Sequence, residues 1–164
     1  MAWCQDMQYW LFKSEPDVFS FSDLKARGEV GEPWNGVRNY QARNYMRDAM
    51  SPGDLGLFYH SNCAVPGIAG VLRIATNAYP DQTQFDPASE YYDPTSSAEN
   101  PRWQLVDVVW VADFPSFISL AQMREDAFLA DMLVLRKGNR LSITPVAEEH
   151  FEYLCQCAGL PARR

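Results

Sequence analysis

Four segments of this chain carry side chains suited to recognising a flat, polar ligand. Lys13-Ser14 closes an apolar run from Tyr9, and His60-Ser61-Asn62 closes another from Leu55. Trp34 opens the turn-rich stretch Trp34-Asn35-Gly36-Val37-Arg38-Asn39-Tyr40, and Tyr91-Tyr92 interrupts an acidic segment. An indole is a stacking wall worth ~1–3 kcal/mol per base, and fixed hydroxyls and amides can read the Watson–Crick edge of a base turned out of its stack. Trp34 would supply the wall, and Ser14, Asn39, Ser61 and Asn62 the edge groups. Lys13, Arg38, Arg43 and Arg47 are cations that can each meet a phosphate.

The same residues have plainer readings. A tryptophan in a turn often lids a core, Arg43 and Arg47 suit a solvated helix face, and Tyr91-Tyr92 can be loop packing. Trp10, Trp103 and Trp110 lie in apolar strand-like runs and are assigned to core or sheet faces. His60 beside Ser61 does not make a hydrolase, because there is no Gly-x-Ser-x-Gly elbow and no acid partner in view; His60 is read as a pocket hydrogen-bonding group. No catalytic residue, metal ligand or cofactor is assigned. The cysteines, Cys4, Cys63, Cys155 and Cys157, form no CxxC pair and suit reduced thiols better than a disulfide framework or a zinc site.

At 164 residues the chain fits one domain spanning 1–164. A net charge of −7 argues against coating nucleic acid by bulk charge, so any such contact must be local. From Trp34 to Arg73, four arginines face only Asp48 and Asp54, which leaves a small basic footprint. No apolar run is long enough to cross a membrane, and Met1–Gln8 lacks the character of a signal peptide, so the expected location is cytoplasmic, or nuclear in a eukaryotic source. A monomer is expected.

These residues must be positioned by recognisable elements. Gln8–Ser14 reads as an opening strand, and Ser20 to Gly28 as a short helix with a capping box through Asp23. A second helix is predicted from near Asn39 to before Pro52, with Ala42, Tyr45, Met46 and Ala49 facing the core and Tyr40, Arg43 and Arg47 on a flank. Asp54–Asn62 and Ile68–Ala75 read as neighbouring strands, and Arg102–Phe114 as the longest strand. Between them, residues 76–101 hold five acids and no base, and Phe85, Tyr91 and Tyr92 favour a packed lid. Ser119 to Gln122 is a capping box opening a helix through about Ala130. Arg140–Ile143 reads as a short strand, and Thr144-Pro145 as the start of a last helix burying Phe151, Leu154, Cys155 and Ala158.

Several strings resemble a known family in order and spacing: YWLFKSEP, WNGVRNYQARNYMRDAMSPGD, LFYHSN, PGIAGV, FDPASEYYDP, NPRWQLVDV and LRKGNRLSITPV. They are similar to the EVE domain over about residues 9–160. The resemblance implies an α+β, PUA-like fold, in which a mixed, strongly curved sheet closes toward a barrel surrounded by helices. It also implies kinship with YTH domains, which read methylated adenosine in RNA. By that similarity Lys13, Ser14, Trp34, Ser61 and Asn62 fall at the positions of a base-binding pocket; the residues themselves add Val37, Arg38, Asn39, Tyr40 and His60 around it, Tyr91 or Tyr92 to complete it, and Arg43 and Arg47 for phosphate. The implied function is non-catalytic reading of a modified cytosine or adenine in DNA or RNA. The alternative is an enzyme or sensor for a free small molecule such as a modified nucleoside.

Overall fold

The computed structural model describes residues 7–161; Cys4 and most of the Met1–Gln8 segment lie outside them. Strand β1 (Tyr9–Ser14) leads to helix α1 (Phe21–Arg27) and the two-residue strand β2 (Glu32–Pro33). Helix α2 (Tyr40–Asn44) continues into a π-helical turn, Tyr45–Ala49, followed by β3 (Leu55–His60), β4 (Gly67–Ile74) and β5 (Tyr79–Pro80). Then come β6 (Gln104–Leu105), β7 (Asp107–Ser119), α3 (Leu120–Arg124), β8 (Ile143–Val146) and α4 (Glu148–Cys157). Six strands form one mixed sheet in the order β2-β7-β4-β3-β1-β8, with β1 and β3 parallel and the other neighbours antiparallel; β5 and β6 pair separately.

The register of β3, β4 and β7 shifts at Phe58/Tyr59, Ile68/Gly70 and Val71/Leu72. Such bulges bend strands and raise their twist, and here they curl the sheet into a half-barrel. Gly70 sits on this bend, where a Cβ would lie 2.2 Å from the Phe21 ring. Only glycine lets α1 pack so close.

Alternation along the strands separates two cores. Tyr9, Leu11, Leu55 and Leu57 face one side, where Phe151, Leu154, Cys155 and Ala158 of the last helix and its exit cover them. Trp10, Phe12, Phe58, Leu72 and Ile74 face the other, with Leu24, Trp34, Ala42 and Met46.

Five predicted elements differ from the structure in extent; one is the short strand expected over Arg140–Ile143, which begins only at Ile143, where pairing with Phe12 of β1 starts, and runs on to Val146. The second helix widens after Asn44, where Met50 N–H donates to the Tyr45 carbonyl five residues back, and the extra residue brings Met50 into the core beside Met46. Arg102–Phe114 is broken at Val106 into β6 and β7, and β7 runs on to Ser119. The Ser119 capping box is present, but α3 stops at Arg124: Asp126 caps a new 3₁₀ turn through Phe128 N–H and also accepts from the Tyr153 hydroxyl. Thr144-Pro145 does not open the last helix. It lies in edge strand β8, opposite Leu11 and Trp10, where a proline is tolerated, and the helix starts at Glu148 with Glu148 and Glu149 at its positive end. No helix among the described residues is long and apolar enough to cross a membrane.

Candidate functional site: an aromatic-floored cavity at the mouth of the half-barrel

A cavity of about 790 Å³ opens where the curled sheet brings its two sides together. Glu32 and Pro33 of edge strand β2, Lys13 and Ser14 at the end of β1, and Ser142 just before edge strand β8 all border it. The volume falls within the ~300–1,000 Å³ of small-ligand sites.

Trp34 reaches this place because its backbone N–H donates to the Val106 carbonyl at 2.9 Å, in the gap between β6 and β7. Its ring stands edge-on to Phe12 (5.3 Å) and Phe58 (5.8 Å), with Phe19 beyond at 6.3 Å. Only 9% of Trp34 remains exposed. The residue is therefore both core and cavity floor, joining the stacking wall and the core lid that the sequence offered as alternatives. The indole Nε1–H makes no hydrogen bond to any described residue, whereas every fully buried side-chain nitrogen or oxygen among those residues has a partner. That donor is open, and the cavity is the space Trp34 borders.

Beyond Trp34 the backbone turns at Gly36 (φ +82°), and the Tyr91 ring packs on its α-carbon so closely that a Cβ would come within 2.5 Å. Tyr91 is held by Arg38, whose Nε and Nη2 donate to the Tyr91 carbonyl at 3.1 and 2.8 Å. The remaining Arg38 donors go to the Val37 carbonyl, Asp81 and Thr83 Oγ1. All five guanidinium N–H groups are used, so Arg38 is a latch rather than a phosphate contact. Asp81, fully buried, accepts from Gly36 N–H (2.8 Å), Arg38 (3.1 Å) and both Thr83 N–H and Oγ1. Burial pushes its carboxyl pKa upward, but these hydrogen bonds outweigh it and hold the group below the ordinary carboxylate value.

The segment over the cavity is pinned by the same chemistry. Gln84, fully buried, donates to the Asp81 and Trp103 carbonyls and accepts from Ser96 Oγ and Trp103 N–H. Asp93 accepts from Thr95 and from the Trp103 indole N–H, which hold its carboxyl at about 2. Of the two lid tyrosines, Tyr91 borders the cavity; Tyr92 is exposed.

Lys13 and Ser14 line the rim. Ser14 Oγ donates to the Phe19 carbonyl at 2.6 Å, so its lone pairs alone remain for a ligand. Half-burial lowers the Lys13 pKa, and its ammonium has no ion pair among the described residues. Two acids at the rim are engaged, Glu32 with Arg27 at 2.9 Å and Glu15 with the Asn62 amide at 3.1 Å.

Among the predicted residues, the structure brings Lys13, Ser14, Trp34, Val37, Arg38 and Tyr91 to the cavity. The others have different partners. His60 Nε2 accepts from Phe21 N–H at 3.1 Å, satisfying the start of α1, and burial lowers its pKa. Asn62 holds a left-handed φ of 51° and binds Glu15, while the Ser61 backbone N–H donates to the Ser14 carbonyl. Asn39 caps α2 through Ala42 N–H. Tyr40 stacks on Trp103, Arg43 bonds Asn44 and the Arg102 carbonyl, and Arg47 pairs with Asp48. Trp103 is buried just ahead of β6, outside the strand that was to hold it.

Sequence reasoning missed Asp81 and Asn35. Asp81-Gln82-Thr83 and Asp93-Pro94-Thr95 share an Asp-x-Thr spacing that marks side-chain-stapled turns; that signal was available. Asn35, exposed at the cavity, carried none beyond its neighbour Trp34. No group of three His, Cys, Asp or Glu among the described residues could hold a metal ion, and Cys63, Cys155 and Cys157 form no disulfide.

A bulged mixed half-barrel, ringed by helices and holding an aromatic-floored cavity at its mouth, defines a binding domain of PUA-like architecture. The profile of the EVE domain matches residues 8–157, and the chain belongs to that family. It is 44% identical to human thymocyte nuclear protein 1 over 162 residues, covering 89% of this chain and 72% of that protein. The crystal structure of the human THYN1 protein in complex with DNA containing 5-methylcytosine is similar at TM-score 0.86 and 42% identity, over 94% of this chain and 99% of that one. A YTH domain of Zygosaccharomyces rouxii, solved with N6-methyladenosine RNA, covers 100% of this chain and 92% of its own at TM-score 0.57 and 11% identity, which shows a shared fold.

Proposed function

We propose that this domain reads a modified cytosine in DNA by taking the flipped base into the cavity over Trp34, and that binding, without a chemical step, is its output. The observation that carries this reading is the pairing of a fixed indole floor with unspent polar groups: the Trp34 Nε1–H donor, the Ser14 Oγ lone pairs and the Asn35 amide. Such groups can meet the edge of a base while Tyr91 walls the side. The complex of human THYN1 protein with 5-methylcytosine DNA supports cytosine over adenine and DNA over RNA. Lys13 faces the strand's phosphate, and the Arg38–Asp81 latch keeps Tyr91 in place. Val37, Asn39, His60, Ser61 and Asn62 build the frame around these groups.

The test is binding to matched duplexes that differ by one 5-methyl group, with wild type, Trp34→Phe and Tyr91→Ala. Wild type prefers the methylated duplex; Tyr91→Ala narrows that preference, and Trp34→Phe weakens binding to both. Equal affinity of wild type for the two duplexes would overturn the reading.

The acidic segment 76–101 favours a second reading, a pocket for a free modified nucleoside. Salt separates the two, because affinity for a phosphate-engaged strand falls as salt rises and affinity for a neutral nucleoside does not.

A further inference from the structure

Outside the cavity, one aromatic face is built and left uncovered. The Tyr40 ring stacks on buried Trp103 at 4.8 Å and 19° between planes, yet half of Tyr40 stays exposed. Trp103 is immobilised from behind, its indole N–H bound to Asp93 at 2.7 Å and its backbone bound through Gln84. A rigid, backed ring of this kind costs little entropy to stack upon.

The cations around it leave the outer face clear. Arg43 lies 4.6 Å from the Tyr40 centroid but only 6.0 Å from that of Trp103. A guanidinium over the outer face of Tyr40 would be farther from Trp103 by nearly the whole stacking distance, so Arg43 sits beside the stack. Its Nη1 bonds the Arg102 carbonyl, and Arg102 Nη1 reaches the Tyr40 hydroxyl at 3.4 Å. Two arginines thus flank the ring in a chain of net charge −7. The platform also joins the cavity wall, because the Arg38 guanidinium lies 5.3 Å from the Trp103 ring and 5.5 Å from the Tyr91 ring.

We infer that the outer face of Tyr40, backed by Trp103 and flanked by Arg43 and Arg102, is a second subsite that stacks an unpaired base next to the one held in the cavity, with the arginines on the intervening phosphates. This rests on the reading of the cavity as a base pocket. It adds a stacking step in which the neighbour or the orphaned partner of the flipped base finds a surface in place of the duplex stack it has lost. Base–aromatic stacking tolerates any base, so the subsite adds affinity without methyl selectivity.

The experiment is a cycle between the protein and the DNA, read as Kd with melting curves for each protein. Wild type, Tyr40→Ala and Tyr40→Phe are titrated with 5-methylcytosine oligonucleotides that are intact or carry one abasic site, either beside the methylated base or opposite it. Tyr40→Ala is expected to lose about tenfold on intact DNA, Tyr40→Phe to retain wild-type affinity, and one of the abasic positions to cost wild type a similar factor while costing Tyr40→Ala little more. The ratio of methylated to unmethylated affinity stays unchanged in Tyr40→Ala. The inference is overturned if every abasic site costs wild type and Tyr40→Ala the same factor, or if Tyr40→Ala binds intact DNA as wild type does. If wild type shows no methyl preference, the cavity reading fails alone, since the same cycle on unmethylated oligonucleotides still reports whether Tyr40 stacks a base.

Discussion

Strands β1 and β3 run parallel and in register, with Lys13 beside Tyr59 and Ser14 beside His60, and both end in polar residues, but only the β1 end borders the cavity. At the β3 end two of the three polar side chains are engaged within the fold, His60 with the first N–H of α1 and Asn62 with Glu15, and Ser61, whose backbone N–H donates to the Ser14 carbonyl, does not border the cavity. At the β1 end, capacity remains: the Lys13 ammonium has no ion pair among the described residues and the Ser14 hydroxyl keeps its lone pairs. A polar residue marks a site by what it has left to offer once the fold has used its share.

Substitutions can break that contrast. The largest effects fall on the side chains buried deepest around the cavity, Asp81 and Trp34. Asp81→Ala would leave Arg38, Gly36 N–H and Thr83 without their shared acceptor, and Trp34→Ala would hollow the core beside Phe12 and Phe58. Each is expected to cost about 3–5 kcal/mol in urea unfolding. Asp81 also sets an acid limit: its folded pKa is depressed, so its contribution is complete above the unfolded carboxylate value near 4 and is lost as pH falls through the folded value.

His60→Ala should cost less, about 1–3 kcal/mol at pH 7.5, by leaving the Phe21 N–H unsatisfied. The folded state prefers neutral His60, so its contribution is full above the unfolded pKa of about 6.5 and fades as pH falls below it. The wild-type advantage over His60→Ala should therefore shrink between pH 7.5 and 5. DNA affinity at pH 7.5, measured where both proteins are folded, should hardly change.

The β1 end should show the converse. Lys13→Ala is expected to alter stability by no more than about 0.5 kcal/mol yet lower the salt slope of DNA binding by about one ion. Asn62→Gly, which keeps the left-handed φ of 51° accessible and removes only the exposed amide contact to Glu15, should be the mildest of the series, within about 0.5 kcal/mol in stability and without effect on the salt slope.

Much of this arrangement was legible in the sequence, and the illegible parts share a cause. The α1 capping box, the alternation that divides the sheet's two cores and the buried stripe of α4 follow from local spacing, which the fold leaves intact. Family resemblance placed Lys13, Ser14, Trp34, Ser61 and Asn62 together with Tyr91 or Tyr92 from the lid; the structure brings Lys13, Ser14, Trp34 and Tyr91 to one cavity and leaves Ser61, Asn62 and Tyr92 outside its lining. What could not be read was which polar groups would be spent on partners distant in sequence: Arg38 on residues 81–91, His60 on a helix start 39 residues earlier, Trp103 under Tyr40. The π turn after Asn44, the early end of α3 and the strand placement of Pro145 likewise depend on tertiary packing rather than on propensity.

Reading a base at the cavity floor is tested most directly by measuring wild-type affinity for a duplex carrying one 5-methylcytosine against the same duplex with cytosine, in wild type and in Tyr91→Ala, at one fixed salt concentration. Tighter binding of the methylated duplex by wild type, with the ratio falling toward one in Tyr91→Ala while unmethylated affinity holds, is the predicted result. A ratio of one in wild type, or the same ratio in both proteins, would contradict it.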